Sequence, residues 1–99
     1  MANKIMYHAT PYENLISILD NGIRTGIDNV VYLTEKPEDA VKFLAVRLVE
    51  KILVCEVLVE ESELLESYDH NERFFGCKVY MVNHSISSDD ITDYLLYER

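Results

Sequence analysis

The sequence is sparing with the residues that break structure and with those that hold metals or nucleic acid. Three glycines and two prolines punctuate 99 residues. No repeat, low-complexity stretch or Gly/Ser/Pro-rich linker divides the chain, so one domain over residues 1–99 is expected. Two cysteines (Cys55, Cys77) and three histidines (His8, His70, His84) follow no metal-ligand spacing, and no metal is expected. The cysteines read as buried thiols of a cytosolic chain, with a disulfide between neighbouring strands as the alternative. No apolar run approaches the roughly 20 residues needed to cross a bilayer. The start, Met1-Ala2-Asn3-Lys4, lacks the apolar stretch of a secretory signal. A cytoplasmic location with no membrane partner follows as the expectation. Basic residues are the last scarcity: 9 Lys and Arg face 18 Asp and Glu, for a net charge of −9. No Lys/Arg cluster is present, which disfavours nucleic acid, whose phosphates such clusters neutralise. A small nucleotide stays open, because one arginine and a few backbone N–H groups hold a diphosphate.

What is present suffices for a core, with 48% apolar residues. Lys4–His8 is a predicted strand running from the sheet edge toward its centre. Thr10-Pro11-Tyr12-Glu13 reads as a helix start, with Thr10 as cap, Pro11 at the first helical position and Glu13 closing a capping box. Tyr12, Leu15, Ile16 and Leu19 recur at helical spacing and are expected to face the core. Asn21-Gly22 stops that helix. After a polar loop, Val30–Leu33 is expected to be an inner strand. Pro37 opens a second helix with Ala40, Phe43, Leu44 and Leu48 as its apolar stripe. Ile52–Val59 is a strand interrupted only by Glu56, and Glu60–Glu66 is an acidic helical turn. Tyr68–Gly76 reads as a loop, Lys78–Val82 as a strand, Ser87–Ile91 as a capped turn, and Tyr94–Tyr97 as the last strand. The order lacks the regular alternation of a doubly wound sheet, and the class expected is α+β.

Three segments carry the chemistry. Tyr7-His8-Ala9-Thr10 places a His-x-Thr sequence between a strand and a helix. Asn14-Leu15 through Ile18-Leu19 to Gly22-Ile23 forms the helix and its glycine stop. Val31-Tyr32-Leu33-Thr34 then leads to Pro37-Glu38-Asp39-Ala40 and Phe43. In order and spacing they resemble the opening half of the ADP-ribosyltransferase superfamily, which includes the poly(ADP-ribose) polymerases and the RNA 2′-phosphotransferases. Ile86-Ser87-Ser88-Asp89-Asp90-Ile91 is similar to that superfamily's closing Ile-Pro-Pro-x-x-Ile segment, with serines in place of the prolines. The resemblance implies a compact fold with a split, mixed or antiparallel sheet and two main helices.

It also implies roles. His8 would bond the adenosine ribose hydroxyls, Thr10 would assist through its hydroxyl or by capping, and Tyr32 would stack on the nicotinamide. Cleavage of the nicotinamide–ribose bond passes through an oxocarbenium-like centre that a carboxylate stabilises. The place where the superfamily carries that carboxylate falls near Cys77-Lys78-Val79, and none of these is acidic. Glu72 is the candidate upstream, and Glu56 the lesser one. Arg24 and Arg73 are the candidate phosphate ligands, too few for the RNA 2′-phosphotransferase branch. Each residue also has a plainer reading: a strand-end histidine, a helix cap, a core tyrosine, solvated loop charges. The implied ligand is NAD⁺ or an ADP-ribose-type nucleotide, with mono-ADP-ribosyl transfer or NAD⁺ cleavage as the reaction and a protein as the transfer target. Two alternatives stay open: a non-catalytic binder that sequesters or senses an NAD-derived signal, as a phage-type accessory protein would, and a protein-interaction domain with a decayed cleft.

Overall fold

The computed structural model describes residues 2–26, 28–45, 47–67 and 77–98. Over the described residues it is an α+β structure of two helices and two small antiparallel sheets. The first sheet orders β1 (Asn3–Pro11), β3 (Lys51–Glu60) and β6 (Ile91–Glu98) as β1-β3-β6. The second orders β2 (Val31–Leu33), β5 (Val79–Val82) and β4 (Leu65–Ser67) as β2-β5-β4. Helix α1 spans Leu15–Asn21 and α2 spans Pro37–Ala45. Short 3₁₀ turns at Tyr12–Asn14, Glu61–Glu63 and Ser88–Asp90 connect the elements.

The central strand explains the layering. Ile52–Cys55 is buried without interruption, as expected of a strand covered on both faces. Leu53, Cys55, Val57 and Val59 pack with Met6, Ile18, Val31, Leu33 and Val82, between the first sheet and the second sheet with α1. Ile52 and Val54 point the other way and pack against Ala40 and Leu44 of α2. Period-two alternation on one strand thus serves two cores. Cys55 lies in the first core, and burial raises its thiol pKa to about 12. Neither Cys55 nor Cys77 forms a disulfide.

Two pairs of backbone hydrogen bonds join the layers. Tyr7 and Thr34 exchange N–H···O bonds of 2.8 and 2.9 Å, tying β1 to the end of β2. Ile23 and Ile86 exchange two of 2.8 Å, tying the segment after α1 to the segment before β6.

Several expectations are corrected. Thr10 and Pro11 belong to β1, and the Tyr12–Asn14 turn has no side-chain cap; the Thr10 hydroxyl instead accepts a 2.8 Å bond from the Asn14 amide. The 3₁₀ turn shifts the start of α1, so the buried side chain is Ile18, while Ile16 is 73% exposed and Leu19 and Tyr12 are also exposed. Leu48 lies beyond α2 and is exposed. Val31–Leu33 is an edge of its sheet rather than an inner strand, as is β1 of its own. The acidic turn shortens to Glu61–Glu63, because Leu65–Ser67 pairs with β5 as a strand that short polar composition concealed. Gly22 stops α1 as expected, at φ 73°, with its N–H bonded to the Ile18 carbonyl. Among the described residues no helix is long and apolar enough to cross a membrane.

Candidate functional site

His8 lies where β1 passes the end of β2. Its Nδ1 is 2.9 Å from the Tyr32 carbonyl oxygen. A carbonyl only accepts, so Nδ1 carries the proton and the neutral ring leaves Nε2 as an acceptor. Burial lowers the pKa of His8 and outweighs the opposing pull of the Tyr32 carbonyl. The ring is therefore a neutral, oriented acceptor near neutral pH.

Two clefts, each of about 180 Å³, share His8 in their walls. One is aromatic, lined by Tyr7, Tyr32 and Phe43 together with Arg47. The other is polar, with Thr10, Asn14, Ser17 and Arg24 beside Gly22. The geometry follows from chain order. The Tyr7–Thr34 bridge brings β2 against β1, the Thr34 hydroxyl donates to the Lys36 carbonyl at 2.8 Å, and α2 starts at Pro37. Phe43, two residues before the helix end, thereby reaches the same cleft as Tyr32. On the polar side, Asn14 is fixed by its bond to Thr10, and Arg24 stands exposed just past the Ile23–Ile86 bridge.

The structure thus gathers four of the seven residues singled out from sequence: His8 in both walls, Tyr32 in the aromatic one, Thr10 and Arg24 in the polar one. Glu72 and Arg73 lie outside the described residues. The Tyr32 hydroxyl donates to the Asp28 carboxylate, which anchors the ring from the loop before β2. Glu56 is on the central strand, its carboxylate accepting from the Tyr7 hydroxyl at 3.1 Å and lying 2.9 Å from the Thr92 hydroxyl. It lines neither cleft. Asn14, Ser17 and Arg47 were not anticipated as lining groups. No local spacing marks them, since Thr10 lies in β1 and Arg47 beyond the end of α2.

A larger cleft of about 350 Å³ is lined by Pro11, Tyr12, Glu13, Val49 and Lys51. Its polar side-chain groups are the Tyr12 hydroxyl and the exposed charges of Glu13 and Lys51, with no histidine among its lining. Size alone does not make it the better candidate. Among the described residues no group of three or more His, Cys, Asp or Glu side chains could hold a metal ion. No protein-family model matches the chain, and a search of curated proteins gives no match either.

Proposed function

We propose that the two clefts meeting at His8 bind NAD⁺ or an ADP-ribose-type nucleotide, in a fold of the ADP-ribosyltransferase kind acting in the cytoplasm. One observation carries the reading: a histidine pinned by the Tyr32 carbonyl presents a free acceptor nitrogen between an aromatic cleft and a polar, arginine-bearing one. Such a pair of surroundings suits a molecule with flat heteroaromatic ends joined through ribose and diphosphate. A ring stacks between Tyr32 and Phe43. Arg24, with the amide and hydroxyl groups of Asn14 and Ser17, neutralises and bonds phosphate oxygens. A ribose hydroxyl donates to His8 Nε2. If the site turns over, the reaction is loss of nicotinamide, with transfer of ADP-ribose to a protein or to water.

The lining of both clefts favours a second reading, in which the protein sequesters or senses the nucleotide without cleaving it. Among the described residues no carboxylate lines either cleft, and Glu56 already accepts from Tyr7. A carboxylate is the group that would stabilise an oxocarbenium-like centre.

The test is thermal shift with NAD⁺, ADP-ribose and cyclic ADP-ribose analogues, on the parent protein and on His8→Ala/Tyr32→Ala and Arg24→Glu variants, with nicotinamide release read in the same wells. Binding gives a shift that grows with ligand, reaching about 2.7 kcal/mol of stabilisation at a hundredfold excess over Kd. The double variant should abolish it. Arg24→Glu, an exposed change that leaves the fold intact, should weaken it. Nicotinamide release then separates enzyme from binder, and a flat response to every nucleotide would remove both readings.

A further inference from the structure

The two halves of the His8 site differ in charge as well as in shape. Among the described residues, the polar cleft is lined by Arg24 and by no carboxylate. The aromatic cleft has carboxylates behind two of its three rings. Glu56 stands opposite Tyr7 in the β1–β3 register, and its carboxylate accepts from the Tyr7 hydroxyl at 3.1 Å. A second bond, from the Thr92 hydroxyl at 2.9 Å, holds that carboxylate in place. Asp28 accepts from the Tyr32 hydroxyl in the same way. Neither carboxylate lines the cleft, so each acts on a ligand through the tyrosine it holds.

A phenol that donates to a carboxylate gains electron density in its ring. Burial raises the Tyr7 pKa, and Glu56 and Glu38 raise it further, so the hydroxyl keeps its proton and remains the donor. A cation is attracted to the negative face of an aromatic ring, and an electron-richer ring attracts it more. Glu56 adds its own charge from half-buried surroundings, where screening is weaker than in open water. His8, kept neutral by burial, puts no opposing charge in the wall. Among the described residues the one cation in this lining is Arg47, which is exposed, and a solvent-screened charge opposes a ligand only weakly.

We propose that Glu56 and Asp28, acting through Tyr7 and Tyr32, make the aromatic cleft selective for a flat cationic ring over a neutral ring of the same shape. The ligand class is then a dipolar molecule, with a pyridinium-type ring at one end and phosphate at the other. Carboxylate-backed aromatics meet the first on one side of His8, and Arg24 meets the second on the other. Glu56 and Asp28 are positioning residues, since neither touches the ligand. The inference deepens the nucleotide reading and rests on it.

The test compares NAD⁺ with its benzamide analogue, in which a neutral benzene ring of the same size and shape replaces the pyridinium. Dissociation constants come from titration calorimetry, with nicotinamide release read alongside so that any NAD⁺ consumed is counted. The parent protein is expected to bind NAD⁺ at least about tenfold more tightly than the analogue. Glu56→Gln keeps an acceptor for Tyr7 and removes the charge, so it should weaken NAD⁺ and leave the analogue's constant in place. Asp28→Asn, at an exposed position that the fold does not depend on, should do the same to a smaller degree. Arg47→Gln should widen the preference. Equal binding of the two ligands by the parent protein overturns the inference and leaves the nucleotide reading standing. Binding of neither removes both. A Glu56→Gln variant that loses both ligands in equal measure also overturns it, because Glu56 then only braces Tyr7.

Discussion

The two sheets differ in how they are held. Strands of nine, ten and eight residues build the first, and β1 pairs with β3 over its whole length, from Asn3 opposite Glu60 to Pro11 opposite Ile52. Strands of three, four and three residues build the second. Strands that short do not stand alone in water. The second sheet buries Val31, Leu33, Val79 and Val82 and leaves Tyr32, Tyr80 and Met81 half-buried, so its ladder alone cannot orient it. The Tyr7–Thr34 and Ile23–Ile86 bridges supply that orientation. His8 and Tyr32 sit on the first bridge, Gly22 and Arg24 beside the second. The candidate site is therefore assembled on the joints between the sheets, and its geometry is only as firm as those joints.

The strongest way to break this comparison is at Gly22. Its φ of 73° with ψ of −165° is a conformation open essentially to glycine. A Cβ there would stand 2.1 Å from the Ile86 carbonyl oxygen and 2.9 Å from the Ser88 nitrogen. Gly22→Ala combines backbone strain with a collision against main chain, each about 1–3 kcal/mol, so a loss of about 2–6 kcal/mol is expected in urea unfolding. The distribution of the loss is the sharper readout. Amides of β2 and β5 should lose exchange protection before those of β1 and β3. Uniform loss across both sheets would mean that the Ile23–Ile86 bridge does not hold the second sheet separately.

The same contrast decides what could be read in the sequence. Ile52–Val59 announces itself because a buried central strand needs apolar residues on both faces, and Gly22 announces a stop because its conformation has few alternatives. Leu65–Ser67 could not be read: three residues, one of them Glu66, carry no period, and only β5 makes them a strand. Helix α1 starts later than its composition predicts, for a related reason. Thr10 has the composition of a cap, but β1 pairs with β3 through Pro11, and nine residue pairs outweigh one capping bond of about 1 kcal/mol. The 3₁₀ turn that follows rotates the helix, exposing Ile16 and Leu19 and burying Ile18. For the site, His8, Thr10, Tyr32 and Arg24 were legible because their motifs are local. Asn14, Ser17 and Arg47 join it only through the packing of α1 and α2 on the joints.

A smaller effect sharpens the other side of the comparison. Leu48 has φ 62° after α2 and is 75% exposed. The bonds Leu48 N–H to Ala45 carbonyl (3.0 Å) and Val49 N–H to Leu44 carbonyl (3.2 Å) make it the left-handed residue of a helix-terminating motif. Left-handed backbone costs a side-chain-bearing residue about 1–2 kcal/mol, against which glycine's extra freedom in the unfolded chain is set. Leu48→Gly should therefore stabilise by about 1 kcal/mol, a rise in Tm of about 4–8 °C for a domain of this size. Since α2 packs on β1 and β3, the added protection should fall on the first sheet. A fall in Tm would show that the Leu48 side chain makes a contact worth more than its strain.

The smallest effect concerns the two histidines beside the joints, which titrate in opposite senses. His84 Nδ1 lies 2.9 Å from the Ser85 carbonyl oxygen, and Nε2 meets the Glu63 carboxylate. Two acceptors demand two protons, so the folded state favours the imidazolium. The Ser85 carbonyl chiefly raises its pKa above the ordinary 6.5, with Glu63 and Asp90 adding to it against some desolvation. The stability it contributes is complete below 6.5 and is lost as pH rises through the raised folded value. Side chains nearly half exposed on both partners limit it to about 0–1 kcal/mol. His8 is the reverse: burial lowers its pKa from 6.5, the folded state favours the neutral ring, and stability is lost as pH falls from 6.5 toward the lowered value. Urea midpoints measured from about pH 5 to about pH 8 should show His84→Gln removing part of the decline on the alkaline side and His8→Gln part of that on the acid side. If His84→Gln leaves the alkaline limb unchanged, the Glu63 contact does not join the two sheets, and the Ile23–Ile86 bridge holds that joint without it.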